Sequence, residues 1–206
     1  MDINKYFSSN PPGVTEKLRK KSVFIAGAGG LGSNVAVSLA RAGIGSITIA
    51  DFDKVESSNL NRQQFFRDQI GMKKVDALRM NLSRINPEMD IKTIAEKITP
   101  ENCKRMIPSS IDIIFECFDR AEAKAMIASF CLKNRKKIPF ITVSGLAGLG
   151  SSSEIRIGKQ GPNFWIIGDG KTEMNPVNGT IASRVALVAA MQTHLGIRIL
   201  LGLEKA

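Results

Sequence analysis

The stretch Val23-Phe24-Ile25-Ala26-Gly27-Ala28-Gly29-Gly30-Leu31-Gly32 decides the fold. Val23 to Ala26 are apolar and strand-prone. The glycines follow at once, and then an apolar, Ala-rich run from Val35 to Ala42 with helical character. The order is strand, glycine turn, helix. The spacing Gly27-x-Gly29-x-x-Gly32 matches the nucleotide-binding fingerprint of doubly wound α/β proteins. Such a turn brings backbone N–H groups against phosphate oxygens at a helix N-terminus, where the helix dipole favours negative charge. Alone, it points to a nucleotide without separating a dinucleotide from ATP.

Outward from this turn, strands and helices alternate. Gly43-Ile44-Gly45 ends the helix. Ser46 to Ala50 reads as a second strand that runs into Asp51-Phe52-Asp53. Residues 54 to 68 form a polar loop, which Leu60, Phe65 and Phe66 argue is ordered. A helix is expected over Lys73 to Arg84, with Val75, Leu78 and Leu82 at helical spacing, and Asn86-Pro87 stops it. Ile91 to Ala95 reads as a third strand, Pro100 to Ile107 as a short helix, and Ile111 to Cys117 as a central parallel strand. Ala121 to Lys133 reads as a helix and Pro139 to Ser144 as a strand. Upstream, Asn10-Pro11-Pro12-Gly13 breaks the chain before a short helix over residues 15 to 20, with Thr15 or a neighbour as its cap. After residue 145 glycine and serine become frequent. The runs Glu154 to Ile157 and Phe164 to Ile167 then predict a hairpin or β-meander, and residues 179 to 202 a long helix. The expected fold is α/β, a Rossmann-like, mostly parallel sheet with helices on both faces. An antiparallel β extension after residue 145 and a long C-terminal helix complete it. One domain is expected over 1–206, with 1–20 as an N-terminal arm and 145–206 as the extension and helix.

Composition narrows the function. The chain has 206 residues, enough for one domain with a sizeable core. No apolar run reaches the roughly 18 residues of a membrane span, and residues 1 to 10 lack the apolar core of a signal peptide, so a cytoplasmic protein is expected. Cys103, Cys117 and Cys131 are widely spaced and form no Cys-x-x-Cys, which gives neither a disulfide framework nor a zinc knuckle. His194 is the only histidine, which argues against a His-based triad or a multi-His metal site. The net charge is +10. A solvated basic surface is the plain reading, and an anionic partner the sharper one. The basic residues are scattered and do not interleave with aromatics, so nucleic acid is not the expected partner.

In open α/β sheets ligands bind at the carboxyl ends of the strands. Asp51 lies 19 residues after Gly32, near the spacing of a ribose-binding acid, although an Asp after a strand is also common in plain loops. Asn59, Asn61, Arg62, Gln63 and Gln64 cluster behind Asp53. Arg62 can pair bidentately with phosphate, and Lys74 supplies a point charge for a triphosphate. So much amide and guanidinium is not typical of a hydride-transfer site. Asp119 can hold Mg²⁺, with or without an intervening water, or cap the helix that begins near Ala121. Cys117 reads as a packed thiol.

Together these residues resemble a known family. Gly27-Ala28-Gly29-Gly30-Leu31-Gly32-Ser33, Asp51-Phe52-Asp53-x-Val55, Ser58-Asn59-Leu60-Asn61-Arg62-Gln63, Gly71-x-x-Lys74 and Arg84-Ile85-Asn86-Pro87 occur in order. The chain is similar to the ThiF/MoeB/HesA family, related to ubiquitin-activating enzymes, strongly over residues 10 to 145 and most to its short ThiF type. The resemblance implies MgATP and the C-terminal Gly-Gly tail of a ubiquitin-like sulfur carrier as reactants. The carrier carboxylate attacks the α-phosphate to give an acyl-adenylate and pyrophosphate. For the ThiF type, the carrier ThiS is then sulfurated for thiazole synthesis in thiamine biosynthesis. By matched position, Asp51 would hold the ribose, Gly27, Gly29, Gly30, Gly32, Asp53, Asn59, Arg62, Gln63 and Lys74 would line the nucleotide, and Asp119 would sit at the metal. Arg62, Lys74 and Asp119 are the expected catalytic residues, and a homodimer is expected by analogy. A carboxylate is already a nucleophile, so attack needs charge neutralisation and alignment more than a base.

The chain departs from the family in three ways. Longer relatives carry two Cys-x-x-Cys pairs for structural zinc, so no zinc site is expected. Residues 145 to 206 contain no cysteine for thioester or persulfide chemistry. Ser9 stands where many members place an arginine that reaches the partner subunit's ATP, with Arg19 and Arg120 as candidate replacements. The alternatives are activation of a molybdopterin-type carrier, a non-catalytic carrier-binding member and, from another class, an NAD-dependent oxidoreductase.

Overall fold

The computed structural model describes residues 3–204 apart from 174 and 176. The ends of the expected arm and domain, residues 1, 2, 205 and 206, and residues 174 and 176 of the expected extension lie outside the described residues. In chain order the elements are α1 (Ile3–Tyr6), α2 (Val14–Leu18), β1 (Ser22–Ala26), α3 (Gly30–Ala42), β2 (Ser46–Ala50), α4 (Lys74–Ile85) and β3 (Asp90–Ile94). There follow α5 (Cys103–Met106), β4 (Ile113–Glu116), α6 (Ala121–Asn134), β5 (Phe140–Val143), β6 (Arg156–Gly161), β7 (Phe164–Gly168) and α7 (Ala182–Leu200). Among the described residues the strands form one sheet in the order β3-β2-β1-β4-β5-β7-β6. All neighbours are parallel except β6 and β7, which make the expected antiparallel hairpin. The hairpin joins the main sheet because β7 pairs parallel with β5, Phe140 to Val143 matching Phe164 to Ile167.

The two faces follow from side-chain alternation along buried strands. Val23 and Ile25 of β1, Ile47 and Ile49 of β2, and Ile113 and Phe115 of β4 face a core built with α3, α4 and α7. Phe24, Ala26, Ala50, Ile114 and Phe140 face a second core built with α5 and α6. Helices therefore cover both faces, as expected. Gly32 allows α3 to approach β1, since a Cβ there would run into the Gly27 carbonyl.

Several boundaries differ from expectation. Thr15 is no cap. It is buried inside α2 and accepts from Asn10 Nδ2 at 2.9 Å, while Gly13 precedes the helix without a side-chain cap. The short helix expected from Pro100 contracts to Cys103–Met106 because Asn102 Oδ1 accepts the Thr99 N–H and shapes a turn ahead of it. The hairpin starts later than Glu154, since Ser151 Oγ accepts the Ser153 N–H and winds residues 152–154 into a 3₁₀ turn. The long helix begins at Ala182, after Ile181 in extended conformation.

The N-terminal segment packs at the C-terminal end of α3. Phe7 is buried, Phe7 and Thr15 line Gly43, and Asn10 Nδ2 donates to Ala42 O at 3.1 Å. The 13 residues of α3 span about 20 Å, which puts this segment far from the glycine turn of its own chain.

Candidate functional site

β2, β1, β4 and β5 are neighbours, so their carboxyl ends open on one edge of the sheet. The glycine turn is tied to both flanking strands. Gly27 N–H donates to Ala50 O and Cys117 N–H to Ala26 O, each at 2.8 Å. Gly27 has a φ of 99°, and a Cβ there would lie 2.9 Å from Cys117 O, so glycine is needed on both counts. Gly29 precedes α3, and no side chain caps that helix. Its first N–H groups are those that no residue inside a helix can satisfy.

Asp51 is bound to this turn directly. Its Oδ2 accepts the Ala28 N–H at 2.6 Å and its Oδ1 the Asp53 N–H at 2.8 Å. Burial pushes the Asp51 carboxyl above the usual carboxylate range, against the opposing pull of those two N–H groups and the Lys74 charge. Lys74, at the start of α4, is buried and places Nζ 2.8 Å from Asp53 Oδ2. The cation expected beside a triphosphate is thus paired with the half-exposed Asp53.

The loop after Asp53 is ordered and is fastened to the first turn of α3. Asn34 Nδ2 donates to Arg62 O at 3.0 Å and to Gly30 O at 2.7 Å. Gln64 N–H donates to Ser33 Oγ, and Gln64 Nε2 to Asn34 Oδ1. Ser33 and Asn34 were not among the expected site residues; Ser33 closes the glycine motif, and Asn34 is a polar side chain directly after it. Asn59 is buried and shapes the loop. Its Oδ1 accepts the Glu56 N–H at 3.0 Å, and its carbonyl accepts the N–H groups of Arg62 and Gln63. Arg62 uses Nη1 on Ser58 O and Asn61 Oδ1, and no bond engages its Nε or Nη2 among the described residues. Its shaft lies over Gly30, where a Cβ would sit 3.7 Å from Arg62 Cγ. Gln63 is buried beside Gly29, and its Oε1 has no partner among the described residues.

Asp119 follows β4 on the turn that abuts Gly27, whose Cβ position lies 3.3 Å from Phe118 Cδ1. Asp119 is exposed and makes no hydrogen bond or ion pair among the described residues. It does not cap α6. Arg120 occupies that position, and no side chain caps the helix. One unengaged carboxylate suits Mg²⁺, which takes one or two carboxylates and completes its shell with phosphate oxygens and water.

Two buried clusters support this edge and were not foreseen. Glu116, the last residue of β4, is fully buried among Lys124, Thr142 and the Phe118 N–H. Asp169, after β7, pairs with Arg184 of α7 at 2.7 Å, with side chains 1% and 5% exposed. Asp169 also accepts the N–H groups of Lys171 and Thr172 and the Thr172 hydroxyl, each at 2.8 Å. Burial alone would raise this carboxyl. The hydrogen bonds from Thr172 and Lys171, with Arg184, overcome that and hold it down to about 2. Arg184 also donates to the carbonyls of Gly150 and Ser151, joining residues 145–151 to the start of α7. From there Val185 reaches the glycine turn, 3.2 Å from a Cβ at Gly30. Cys103, Cys117 and Cys131 are free and buried, and burial pushes each thiol up, Cys131 to about 12. Cys117 is the packed thiol its neighbours suggest. Among the described residues no three His, Cys, Asp or Glu side chains gather into a metal cluster, and no helix is long and apolar enough to cross a membrane.

Comparison with known proteins places these residues in context. A sequence model of the ThiF family matches residues 5–206. Molybdopterin-synthase adenylyltransferase of Haemophilus influenzae is 38% identical over 128 residues, 62% of this chain and 51% of that one. tRNA threonylcarbamoyladenosine dehydratase of Escherichia coli is 32% identical over 136 residues, 66% of this chain and 50% of that one. Ubiquitin-like modifier-activating enzyme 5 of Drosophila mojavensis is 38% identical over 58% of this chain and 33% of its own length. The chain thus spans about half the length, or less, of these curated relatives. The crystal structure of the E. coli dehydratase in complex with ATP shares the fold, with a TM-score of 0.88 and 21% identity over 98% of this chain and 96% of that one.

Proposed function

The chain belongs to the ThiF family, and on that premise we propose that it is an ATP-dependent adenylyltransferase for a ubiquitin-like sulfur carrier. It joins AMP to the carrier's C-terminal glycine carboxylate and releases pyrophosphate. The thiamine route, with a ThiS-like carrier ending in Gly-Gly, is the specific form proposed. The observation that carries this reading is the convergence of four features on one sheet edge. These are an uncapped α3 N-terminus, Asp51 bound to the glycine turn, Arg62 with unengaged donors, and an exposed, unpartnered Asp119.

The residues divide the work by chemistry. Asp51 keeps acceptor capacity for ribose hydroxyls, because each of its oxygens takes a single backbone N–H. The α3 N-terminus and Arg62 attract the phosphates, and Gln63 places its amide nitrogen, a donor, beside Gly29. Asp119 would hold Mg²⁺, directly or through water, and the bound ion would supply positive charge against the phosphates. Lys74 holds Asp53, so the site meets its anionic reactants with one carboxylate already compensated. No proton-transfer base is required, since the attacking carboxylate is ionised near neutral pH.

The proposal includes a second copy of the chain by family analogy. Ser8 to Pro12 lie about 20 Å from their own glycine turn, too far to reach a nucleotide bound there. Arg19 lies at that far end too, over Phe7 and 3.7 Å from Glu88, whereas Arg120 stands next to Asp119. Arg120 is therefore the replacement proposed for the arginine missing at Ser9.

The test is isotope exchange from pyrophosphate into ATP. Exchange that requires a carrier ending in Gly-Gly supports the proposal; its absence at saturating ATP with several such carriers overturns it. Carrier binding without exchange selects the non-catalytic form, and exchange with a molybdopterin-type carrier alone moves the pathway. One specific observation favours a second reading. The similarity to a tRNA threonylcarbamoyladenosine dehydratase, with a net charge of +10, fits a carboxylate presented on tRNA. Pyrophosphate exchange or ATP turnover stimulated by tRNA, and by no carrier, selects it.

A further inference from the structure

We propose that Glu116 is a positioning residue that fixes the turn carrying Asp119 for Mg²⁺; this rests on the adenylyltransferase reading given above. The Glu116 carboxylate is 0% exposed, a setting in which an ionised group needs charge and hydrogen-bond partners. Its partners come from three separate elements. Oε1 accepts the Phe118 N–H at 2.5 Å, two residues along the turn. Oε2 accepts Lys124 Nζ at 2.9 Å, from the first turn of α6, and the Thr142 hydroxyl of β5. One side chain thereby holds the strand end, the turn and the next helix in fixed relation, and Asp119 lies between Phe118 and that helix.

The opposite face of the sheet holds the same strand end. Gln192 of α7 is fully buried, and its Nε2 donates to Glu116 O and Ile141 O, each at 3.1 Å. Side chain and carbonyl of one residue are thus secured from α6 and α7 respectively. The Asp119 side chain makes no hydrogen bond or ion pair among the described residues that would set its position. The backbone must therefore aim it, and the Glu116 carboxylate holds that backbone through the Phe118 N–H. Ligands of a metal depend on such supporting partners, whose loss typically costs 10- to 100-fold in affinity.

The experiment compares the wild-type chain with Glu116→Gln, Lys124→Met and Thr142→Val. Mn²⁺ replaces Mg²⁺ and is titrated by electron paramagnetic resonance in the presence of α,β-methylene-ATP, with amide hydrogen exchange read over residues 117–120. Glu116→Gln and Lys124→Met should weaken Mn²⁺ on the order of 10- to 100-fold and speed exchange over the turn. Affinity for the analogue without metal should stay within about twofold. Mn²⁺ affinity equal to wild type in a folded Glu116→Gln overturns the proposal. Should that variant not fold, Thr142→Val removes one donor at nearly constant shape; it should weaken Mn²⁺ severalfold, and wild-type affinity there overturns the proposal equally. A wild-type chain that binds no Mn²⁺ with the analogue also overturns it. If the wild type binds Mn²⁺ and analogue yet adenylylates nothing, and Glu116→Gln weakens the metal, the function fails while the positioning role stands.

Discussion

Replacing Asp169 by Asn removes the anion that pairs with Arg184 at the start of α7, the arginine that also holds the carbonyls of Gly150 and Ser151. Asn keeps the shape and can still accept the Lys171 and Thr172 N–H groups, but it removes the anion from Arg184, whose side chain is 5% exposed. Stranding a buried charge costs about 3–5 kcal/mol, a large share of the roughly 5–15 kcal/mol that holds a typical domain. The pH dependence gives a second, independent magnitude. Asp169 has its carboxyl lowered from 3.8 to about 2, so the folded state favours the charged form. The contribution is fully present above the unfolded value of 3.8 and is lost as pH falls through about 2. That shift is worth about 2 kcal/mol. Urea unfolding of both proteins at pH 7 and at steps down to pH 2.5 measures it, because the other carboxylates cancel in the difference. Asp169→Asn should be less stable by about 3 kcal/mol or more at pH 7 with an unchanged m-value, and the gap should narrow below pH 4. A loss under about 1 kcal/mol at pH 7, or a gap constant with pH, would refute the assignment of this pair as a buried, charge-dependent clasp.

The site itself yields further expectations. Arg62→Ala and Asp119→Ala should each lower pyrophosphate exchange at least about 100-fold with thermal stability near wild type, as expected for groups that stabilise charge in the transition state; unchanged exchange in either would show the site to be misplaced. Gly30→Val should cost about 1–3 kcal/mol in denaturant unfolding and weaken ATP in calorimetry, because its side chain meets Val185 Cγ1 at 3.2 Å and the Arg62 shaft. Wild-type nucleotide affinity in that variant would contradict the close packing of α7 and Arg62 on the glycine turn.

Local chemistry made much of the fold legible. Val23 to Ala26, the glycines and the run from Val35 are consecutive, so their order alone specifies a strand, a turn and a helix. Strand alternation separates Phe24 from Val23 and Ile25 and so implies helices on both faces. What stayed hidden depends on contacts distant in sequence. Asp169 and Arg184 are 15 residues apart with no periodicity between them, and only the placement of α7 brings them together. Glu116 is a carboxylate inside an apolar run, and Lys124 and Thr142 become its partners only when α6 and β5 fold beside it. Lys74 reads from sequence as a cation for a triphosphate, but its pairing with Asp53 depends on how the intervening loop folds back. Asn59 reads from sequence as a ligand group, and in the structure its Oδ1 accepts the Glu56 N–H and builds the loop. Asp119 suited a cap as well as a metal, and the backbone placed Arg120 in the capping position.

The central claim is that this edge of the sheet activates a carboxylate by joining it to AMP. Mass spectrometry of a Gly-Gly-ended carrier, incubated with the protein, Mg²⁺ and ATP and quenched in acid, tests it most directly. The carrier should become heavier by one adenylyl group on its last residue, with pyrophosphate released in equal amount and neither product formed by Asp119→Ala. A carrier that binds the wild-type protein and stays unmodified while ATP remains intact would contradict it.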